Sequence, residues 1–281
     1  MLVINTPLKI SNVLALKRKQ GKRIGFVPTM GALHDGHLSL IRSACKENDI
    51  VVVSIFVNPK QFGPKEDLKK YPRPLSKDLA FCRKEEVDFV FYPKPSDMYL
   101  DDFSTYVEVK GLSGLLCGKS RPGHFSGVAT VVAKLLNIIQ PNTLYLGAKD
   151  AQQVLIIKKM IADLNIPVKV KVVPTVRERD GLALSSRNLY LNKNERVDAL
   201  VLSQAINLAK ILIKNGARDS KRIISRMQEL IKKKKSAKID YIEIVDSHNL
   251  KPLNKISGSY LIALAVWFGK TRLIDNTLNY A

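Results

Sequence analysis

Two histidines, His34 and His37, stand three positions apart with Asp35 and Gly36 between them. At the start of a helix, both imidazoles can face the place where a phosphate would rest. There they can donate hydrogen bonds to charge developing on a phosphoryl group, which is electrostatic stabilisation rather than attack. The alternatives are a metal site or surface histidines beside a turn. Two histidines are too few for a zinc site, and Cys45, Cys82 and Cys117 are too widely spaced to form a ligand pair, so the ligands of any metal stay open. A second polar run reads Gly147-Ala-Lys-Asp-Ala-Gln-Gln153. Lys149 is placed to reach phosphates as a point charge, while Asp150 can accept from ribose hydroxyls or serve only as a helix N-cap. Gln153, one turn further on, and Gln61 each carry donors and acceptors that suit a hydroxy acid, although either one alone also reads as a surface residue. A third run, Gly181-Leu-Ala-Leu-Ser-Ser-Arg-Asn188, sets the hydroxyls of Ser185 and Ser186 beside the Arg187 guanidinium, the parts of a mobile anion clamp.

The first of these runs is placed by strand, turn and helix. Residues 24–27 form a short apolar strand stopped by Pro28. Leu38, Leu40, Ile41, Ala44 and Cys45 then recur at helical spacing. Gly31 and Gly36 let the turn fold tightly around a bound group. The first amides of the helix are expected to lack internal partners and to point outward, making an anion seat. A nearly continuous apolar run at 50–57 predicts a strand buried on both faces, and Gln61 follows it in a loop at the strand's carboxyl end, where open α/β sheets bind ligands. The remaining pattern predicts helices at 8–19 and 76–86, strands at 87–92 and 105–109, a polar loop at 117–125, and a one-faced helix from Val128 that Pro141 stops. A strand at 143–146, the turn at 147–150, a helix through Leu164 and a strand at 168–173 complete the set. The alternation predicts an α/β fold, a doubly wound parallel sheet over residues 1–175. After the polar loop at 177–188 the pattern changes to two basic amphipathic helices, 193–214 and 219–235, and strands at 238–245 and 260–268. These predict a smaller C-terminal α+β domain over 176–281.

With 281 residues, 46% of them apolar, the chain is long enough to bury a core in one large or two smaller domains. The opening residues lack the basic region and apolar core of a secretory signal, no apolar run is long enough to span a bilayer, and the odd, scattered cysteines read as buried thiols. A cytoplasmic protein is expected. The formal charge of +21 is compatible with nucleic acid, a membrane surface or an anionic substrate. The lysines are spread along the chain, however, and the densest run, at 232–235, closes a predicted helix where cations suit the dipole. Few aromatic residues accompany them. Small-molecule partners, with no nucleic acid and no membrane, are therefore expected.

Five motifs in order, Val27-Pro-Thr-Met-Gly-Ala-Leu-His-Asp-Gly-His37, Val53-Ser-Ile-Phe-Val-Asn-Pro-Lys-Gln-Phe62, Ser120-Arg-Pro-Gly-His-Phe125, Gly147-Ala-Lys-Asp-Ala-Gln-Gln153 and Asp180-Gly-Leu-Ala-Leu-Ser-Ser-Arg-Asn188, together with Arg272-Leu-Ile-Asp-Asn276, resemble the pantoate-β-alanine ligase family. More widely, the His-x-Gly-His turn is similar to that of the Rossmann-like class I nucleotidyltransferases. The resemblance implies ATP-dependent joining of pantoate to β-alanine through pantoyl adenylate, with Mg2+ accompanying ATP, in a homodimer. It implies that ATP lies along Met30, Gly31, Ala32, Leu33, His34, Asp35, Gly36, His37, Gly147, Ala148, Lys149, Asp150, Val176, Leu184, Ser185, Ser186 and Arg187. Pantoate falls to Gln61 and Gln153, with Gln61 also near β-alanine, and His37 is the family's proton donor. Residues 176–187 are expected to act as hinge and lid. The residues themselves shift one emphasis: a carboxylate needs no general base near neutral pH, so His34, His37, Lys149, Ser185, Ser186 and Arg187 read as groups that neutralise phosphate charge. Family members often carry Glu at the place of Ala148 and a large residue at that of Ala151, so packing at that helix start is expected to differ. The rivals are another class I nucleotidyltransferase, which shares the histidine turn, and a nucleic-acid-binding protein.

Overall fold

The computed structural model describes residues 1–64 and 66–280. In chain order its elements are β1 (Leu2–Ile4), α1 (Pro7–Lys19), β2 (Ile24–Thr29), α2 (Asp35–Glu47), β3 (Ile50–Ile55), α3 (Leu75–Lys84), β4 (Phe89–Phe91), α4 (Pro95–Met98), α5 (Cys117–Ser120), α6 (His124–Ile139), β5 (Thr143–Gly147), α7 (Ala151–Asp163) and β6 (Lys169–Val173). They continue with α8 (Lys193–Asp198), α9 (Val201–Lys214), α10 (Ser220–Lys232), β7 (Ala237–Asp246), β8 (Ser259–Phe268) and β9 (Thr271–Tyr280). Two compact units are present. The first comprises residues 1–113, 121–148 and 153–174, and the second 114–120, 149–152 and 175–281. None of the helices among the described residues is long and apolar enough to cross a membrane.

The first unit is built on a six-stranded sheet of order β1-β4-β3-β2-β5-β6, parallel at every pairing. After the edge strand β1, the chain starts the interior of the sheet at β2, builds outward through β3 to β4 beside β1, then returns to the other side of β2 with β5 and β6. The order therefore reverses between β2 and β5, and at such a switch point the loops leave the carboxyl edge in opposite directions and open a crevice. β3 is buried at every position, as its unbroken apolar run predicts. Its Val51, Val53 and Ile55 join Val27, Leu38, Ile41 and Ala44 in a core under α2 and α3. The one-faced helix α6 packs with α1 and against β2.

Pro28 does not stop β2, which runs on to Thr29. β5 pairs with β2 only at Gly25 and Phe26, so the missing N–H of Pro28 falls where that ladder has already opened. The strand expected at 105–109 is absent. Its Val107 N–H goes to Thr130 Oγ1 on α6 at 2.9 Å, and the place beside β4 is taken by β1, a strand of three residues, too short for an alternation to announce, of which Leu2 and Val3 are exposed and Ile4 is buried. The segment expected as a polar loop at 117–125 contains the single turn α5 and the start of α6.

In the second unit β7, β8 and β9 form an antiparallel sheet in sequence order. Alternate residues Ile262, Leu264, Val266 and Phe268 of β8 meet Ile206, Ala209, Ile223 and Met227 of α9 and α10 in one core. The helix expected over 193–214 is two helices. Leu200 N–H reaches Val197 O and Leu202 N–H reaches Ala199 O, three residues back, and these tightened bonds interrupt the α-helical ladder at 199–200. The third strand, β9, was not legible as a strand because polar residues needed elsewhere interrupt its alternation.

Candidate active site

The turn from β2 into α2 is held by side chains at almost every peptide. Thr29 Oγ1 donates to Ser54 O at 2.7 Å and accepts from Gly31 N–H at 3.1 Å. Gly31, at φ +84°, and Ala32, at φ +51°, both take left-handed backbone, which turns the next two amides inward. There they meet Asp78 on α3: Ala32 N–H donates to Oδ2 and Leu33 N–H to Oδ1, each at 2.8 Å. A Cβ at Gly31 would stand 2.9 Å from Asp78 Oδ2 and 3.0 Å from Ile55 Cγ2, so the glycine is required by space as well as by φ. Asp78 is 1% exposed, and burial pushes its carboxyl above the ordinary carboxylate value while the two amides pull it back.

The helix start departs from the expected row of outward amides. His34 is the N-cap, its Nδ1 accepting from Gly36 N–H at 3.2 Å, and His37 Nδ1 accepts a longer bond of 3.4 Å from His34 N–H. The two imidazoles thus form a reciprocal capping box, a job ordinarily given to Ser and Glu. A ring nitrogen that accepts cannot carry the proton, so in the neutral rings the N–H lies on Nε2 of both histidines. Their ring centroids are 4.2 Å apart.

The loop after β3, beside β2, carries Gln61. Asn58 caps the 3-10 turn Pro59–Gln61, and its Nδ2 donates to Gln61 Oε1 at 3.2 Å and to Gly127 O at 3.0 Å, while Tyr99 O–H donates to Asn58 Oδ1 at 2.7 Å. The Gln61 Nε2 lies 2.9 Å from Met30 Sδ, which brings together two residues that the sequence reading assigned to different substrates. Beneath them α6 presses directly on the turn: a Cβ on Gly127 would sit 2.2 Å from Lys60 O, so only glycine fits. His124 donates through Nδ1 to Gln61 O at 2.7 Å, leaving Nε2 to accept from Arg121 at 3.0 Å, and Arg121 makes a bidentate pair with Glu66 at 2.7 and 2.6 Å. Burial opposes the charge on Glu66, but the Arg121 bonds outweigh it and hold the carboxyl below its ordinary value. Asn58, Tyr99, Gly127, His124 and Asp78 escaped the list of candidate residues. Asn58, Gly127 and His124 lie in or beside quoted motifs, whereas Tyr99 follows a single-turn helix and Asp78 sits in a helix, neither with a local sign of its task.

Gly147 ends β5 and Ala148 begins a 3-10 turn, Ala148–Asp150, that leads into α7. β2 and β5 are neighbours and parallel, so this turn and the histidine turn leave the same edge of the sheet. Gln153 is half-buried on the first turn of α7, while its neighbour Gln152 is committed to structure, donating to Leu115 O at 2.6 Å and accepting from Cys117 N–H at 3.1 Å.

In the second unit the ammonium of Lys149 is 3.8 Å from Asp150 Oδ1, and Lys149 O accepts from Asn276 Nδ2 at 2.6 Å. The region expected as a polar loop is a tight reverse turn. Leu184 N–H donates to Val176 O at 3.0 Å, which brings that expected pair together, and Glu178 N–H donates to Leu182 O at 2.8 Å. Arg177 grips Asp275 at 2.6 and 2.8 Å and also donates to Gly181 O. The turn delivers Ser185, whose Oγ accepts from Arg187 N–H at 3.3 Å and starts the 3-10 stretch Ser186–Tyr190. The motif at 272–276 proves structural: Arg272 binds Asp240, Asp275 binds Arg177, and Asn276 holds the backbone of Lys149. Cys82 and Cys117 are buried free thiols as expected, and Cys45 is half-buried. Among the described residues no group of three or more His, Cys, Asp or Glu side chains is arranged to hold a metal ion.

A Pantoate-beta-alanine ligase family model matches residues 2–278. The chain belongs to that family. It is 53% identical over 276 residues to the pantothenate synthetase of Caldicellulosiruptor saccharolyticus, covering 98% of each chain, and 54% identical over 277 residues to that of Sulfurihydrogenibium sp., covering 98% of this chain and 99% of that one. The crystal structure of pantothenate synthetase from Thermus thermophilus superposes with a TM-score of 0.95 at 42% identity over the whole of both chains. A pantoate-beta-alanine ligase from Francisella tularensis, solved with beta-gamma ATP and beta-alanine, matches with a TM-score of 0.81 at 39% identity, over 99% of this chain and 97% of that one.

Proposed function

We propose that this ligase condenses (R)-pantoate with β-alanine to form pantothenate, and that the residues singled out above perform the first half of that reaction. A pantoate carboxylate oxygen bonds to the α-phosphorus of ATP and the bond to pyrophosphate breaks, giving pantoyl adenylate. The neutral amine of β-alanine then attacks the acyl carbon, AMP leaves and a proton is released. The carboxylate is ionised near neutral pH, so the first step requires charge neutralisation rather than a base. The observation that carries the reading is the histidine pair. With both Nδ1 atoms accepting from backbone, the neutral rings of His34 and His37 carry their proton on Nε2, the tautomer this role in charge neutralisation requires.

In this assignment ATP is held by residues 30–37, 147–150 and 184–187 and by Val176, with Lys149, Ser185, Ser186 and Arg187 adding positive charge and hydroxyl donors to the triphosphate. Gln61, whose carboxamide is set by Asn58 and Met30, and Gln153 bind pantoate. Magnesium enters with ATP on phosphate oxygens, where it would supply further charge neutralisation. Residues 1–175 form the ATP- and pantoate-binding domain and 176–281 the lid. The family resemblance carries over a cytoplasmic homodimer, checked by light scattering on the purified protein.

The test is to incubate the protein with MgATP, adding pantoate and β-alanine singly and together. AMP should accumulate only when both acids are present. Pyrophosphate release that is complete without the amine would favour a simple nucleotidyltransferase.

A further inference from the structure

We infer that Asp78 is a positioning residue for adenylate formation: from α3 it grips the two amides that precede His34 and thereby sets where both histidines stand. The inference rests on the reaction proposed above. Its ground is geometric. One carboxylate takes the N–H groups of two consecutive residues, Ala32 and Leu33, one on each oxygen at 2.8 Å. A two-point grip on adjacent peptides fixes both planes, and it does so where the backbone is least content, at φ +84° and +51°. The next residue is His34, in extended backbone at φ −142° and ψ 173°, and α2 begins immediately after it. Thr29 holds Gly31 N–H on one side of the clamp, and the imidazole capping box follows on the other. The amides of Gly31, Ala32, Leu33 and His34 are thus each taken by a side chain, and Asp78 takes two of them.

Anchoring α3 does not require this carboxylate. Leu75, Leu79 and Cys82 of the same helix already pack in the core under the sheet. Burying an ion carries a desolvation cost, visible in the raised protonation range of Asp78. A neutral, one-acceptor residue would avoid that cost but leave one inward amide unsatisfied. What the carboxylate adds is a fixed direction for the turn.

Asp78→Asn keeps the shape of the side chain but turns an amide donor toward one of the two N–H groups. The measurements are pantoate-dependent exchange of pyrophosphate into ATP, ATP binding by calorimetry, and conversion of supplied pantoyl adenylate and β-alanine to pantothenate. Misplacement of reacting groups by an ångström is felt in rate before it is felt in affinity, so the exchange kcat should fall about tenfold or more, while the ATP Kd and the second half-reaction change by less than about threefold. A folded variant whose exchange rate stays within about twofold of wild type overturns the inference. So does a loss of equal size in all three measurements, the mark of general damage. If Asp78→Asn does not fold, Asp78→Ser, which can accept one amide, is tested in the same way. If neither folds, the residue serves the fold and the inference fails. Wild-type protein that makes no AMP from ATP and both acids would instead refute the proposed reaction, independently of Asp78.

Discussion

The two corners that leave neighbouring strands β2 and β5 are built to opposite specifications. After β2, the amides of Gly31, Ala32 and Leu33 are taken by Thr29 and Asp78, two residues sit at positive φ, and the two histidines together cap the start of α2. After β5, a single 3-10 turn carries Lys149 and Asp150, whose charges stand 3.8 Å apart with Asp150 about half exposed, and a Cβ on Gly147 would meet nothing within 4 Å. The difference fits what the proposed reaction asks of each corner. Hydrogen bonds to developing charge depend on direction and distance and need a rigid frame, whereas an ammonium acts as a point charge that tolerates small displacement.

The largest effect should come from the rigid corner. His37→Ala is expected to lower adenylate formation about 10²–10³-fold while changing ATP affinity far less, because it removes a donor used chiefly as charge develops. Equal losses in rate and binding would place the imidazole in ground-state binding and erase the contrast. At the second corner, Lys149→Ala should lower the same rate about 10²-fold, and Lys149→Arg should recover part of it, since charge matters there more than shape. No recovery by arginine would make this corner as exacting as the first.

Stability separates the corners as well. Gly31→Ala should cost about 1–3 kcal/mol in thermal or denaturant unfolding, from positive φ and crowding against Asp78 and Ile55. Gly147→Ala should stay within about 1 kcal/mol of wild type. Similar losses at both positions would refute the structural difference.

The smallest effect lies at the corner after β3, where Glu66 and Arg121 brace His124 and Gln61. Glu66→Gln should lower stability by about 1 kcal/mol or less near neutral pH, the range for a partly exposed pair. The Glu66 carboxyl is held below its ordinary value in the folded chain, so its contribution is fully present above the unfolded value and is lost as pH falls through the lowered one. Melting temperatures of wild type and variant should therefore converge on acidification. A gap that persists in acid would assign the effect to packing.

Much of the architecture was legible because it rests on local pattern. The apolar run of β3, the one-faced α6 and the glycine-bearing turn each announce themselves within a dozen residues. The sites where reading along the chain failed are those where a distant partner decided the outcome. Val107 looks like a strand residue, but Thr130 takes its N–H. Pro28 looks like a stop, yet β2 continues because the β5 ladder has already opened. The polar residues that mask β9 as a strand are those that hold Asp240, Arg177 and Lys149.

The sequence alone determined which chemical groups the protein has and the order of strand, turn and helix that carries them, since residue type and short-range periodicity are properties of the chain itself. Only the folded structure decided which nitrogen of each histidine accepts from the backbone, that Gln61 lies against Met30, and that a carboxylate 46 residues away from Ala32 holds the turn in place. Hydrogen bonds act over about 3 Å. Which groups come within that reach is settled by folding, and spacing along the chain does not disclose it.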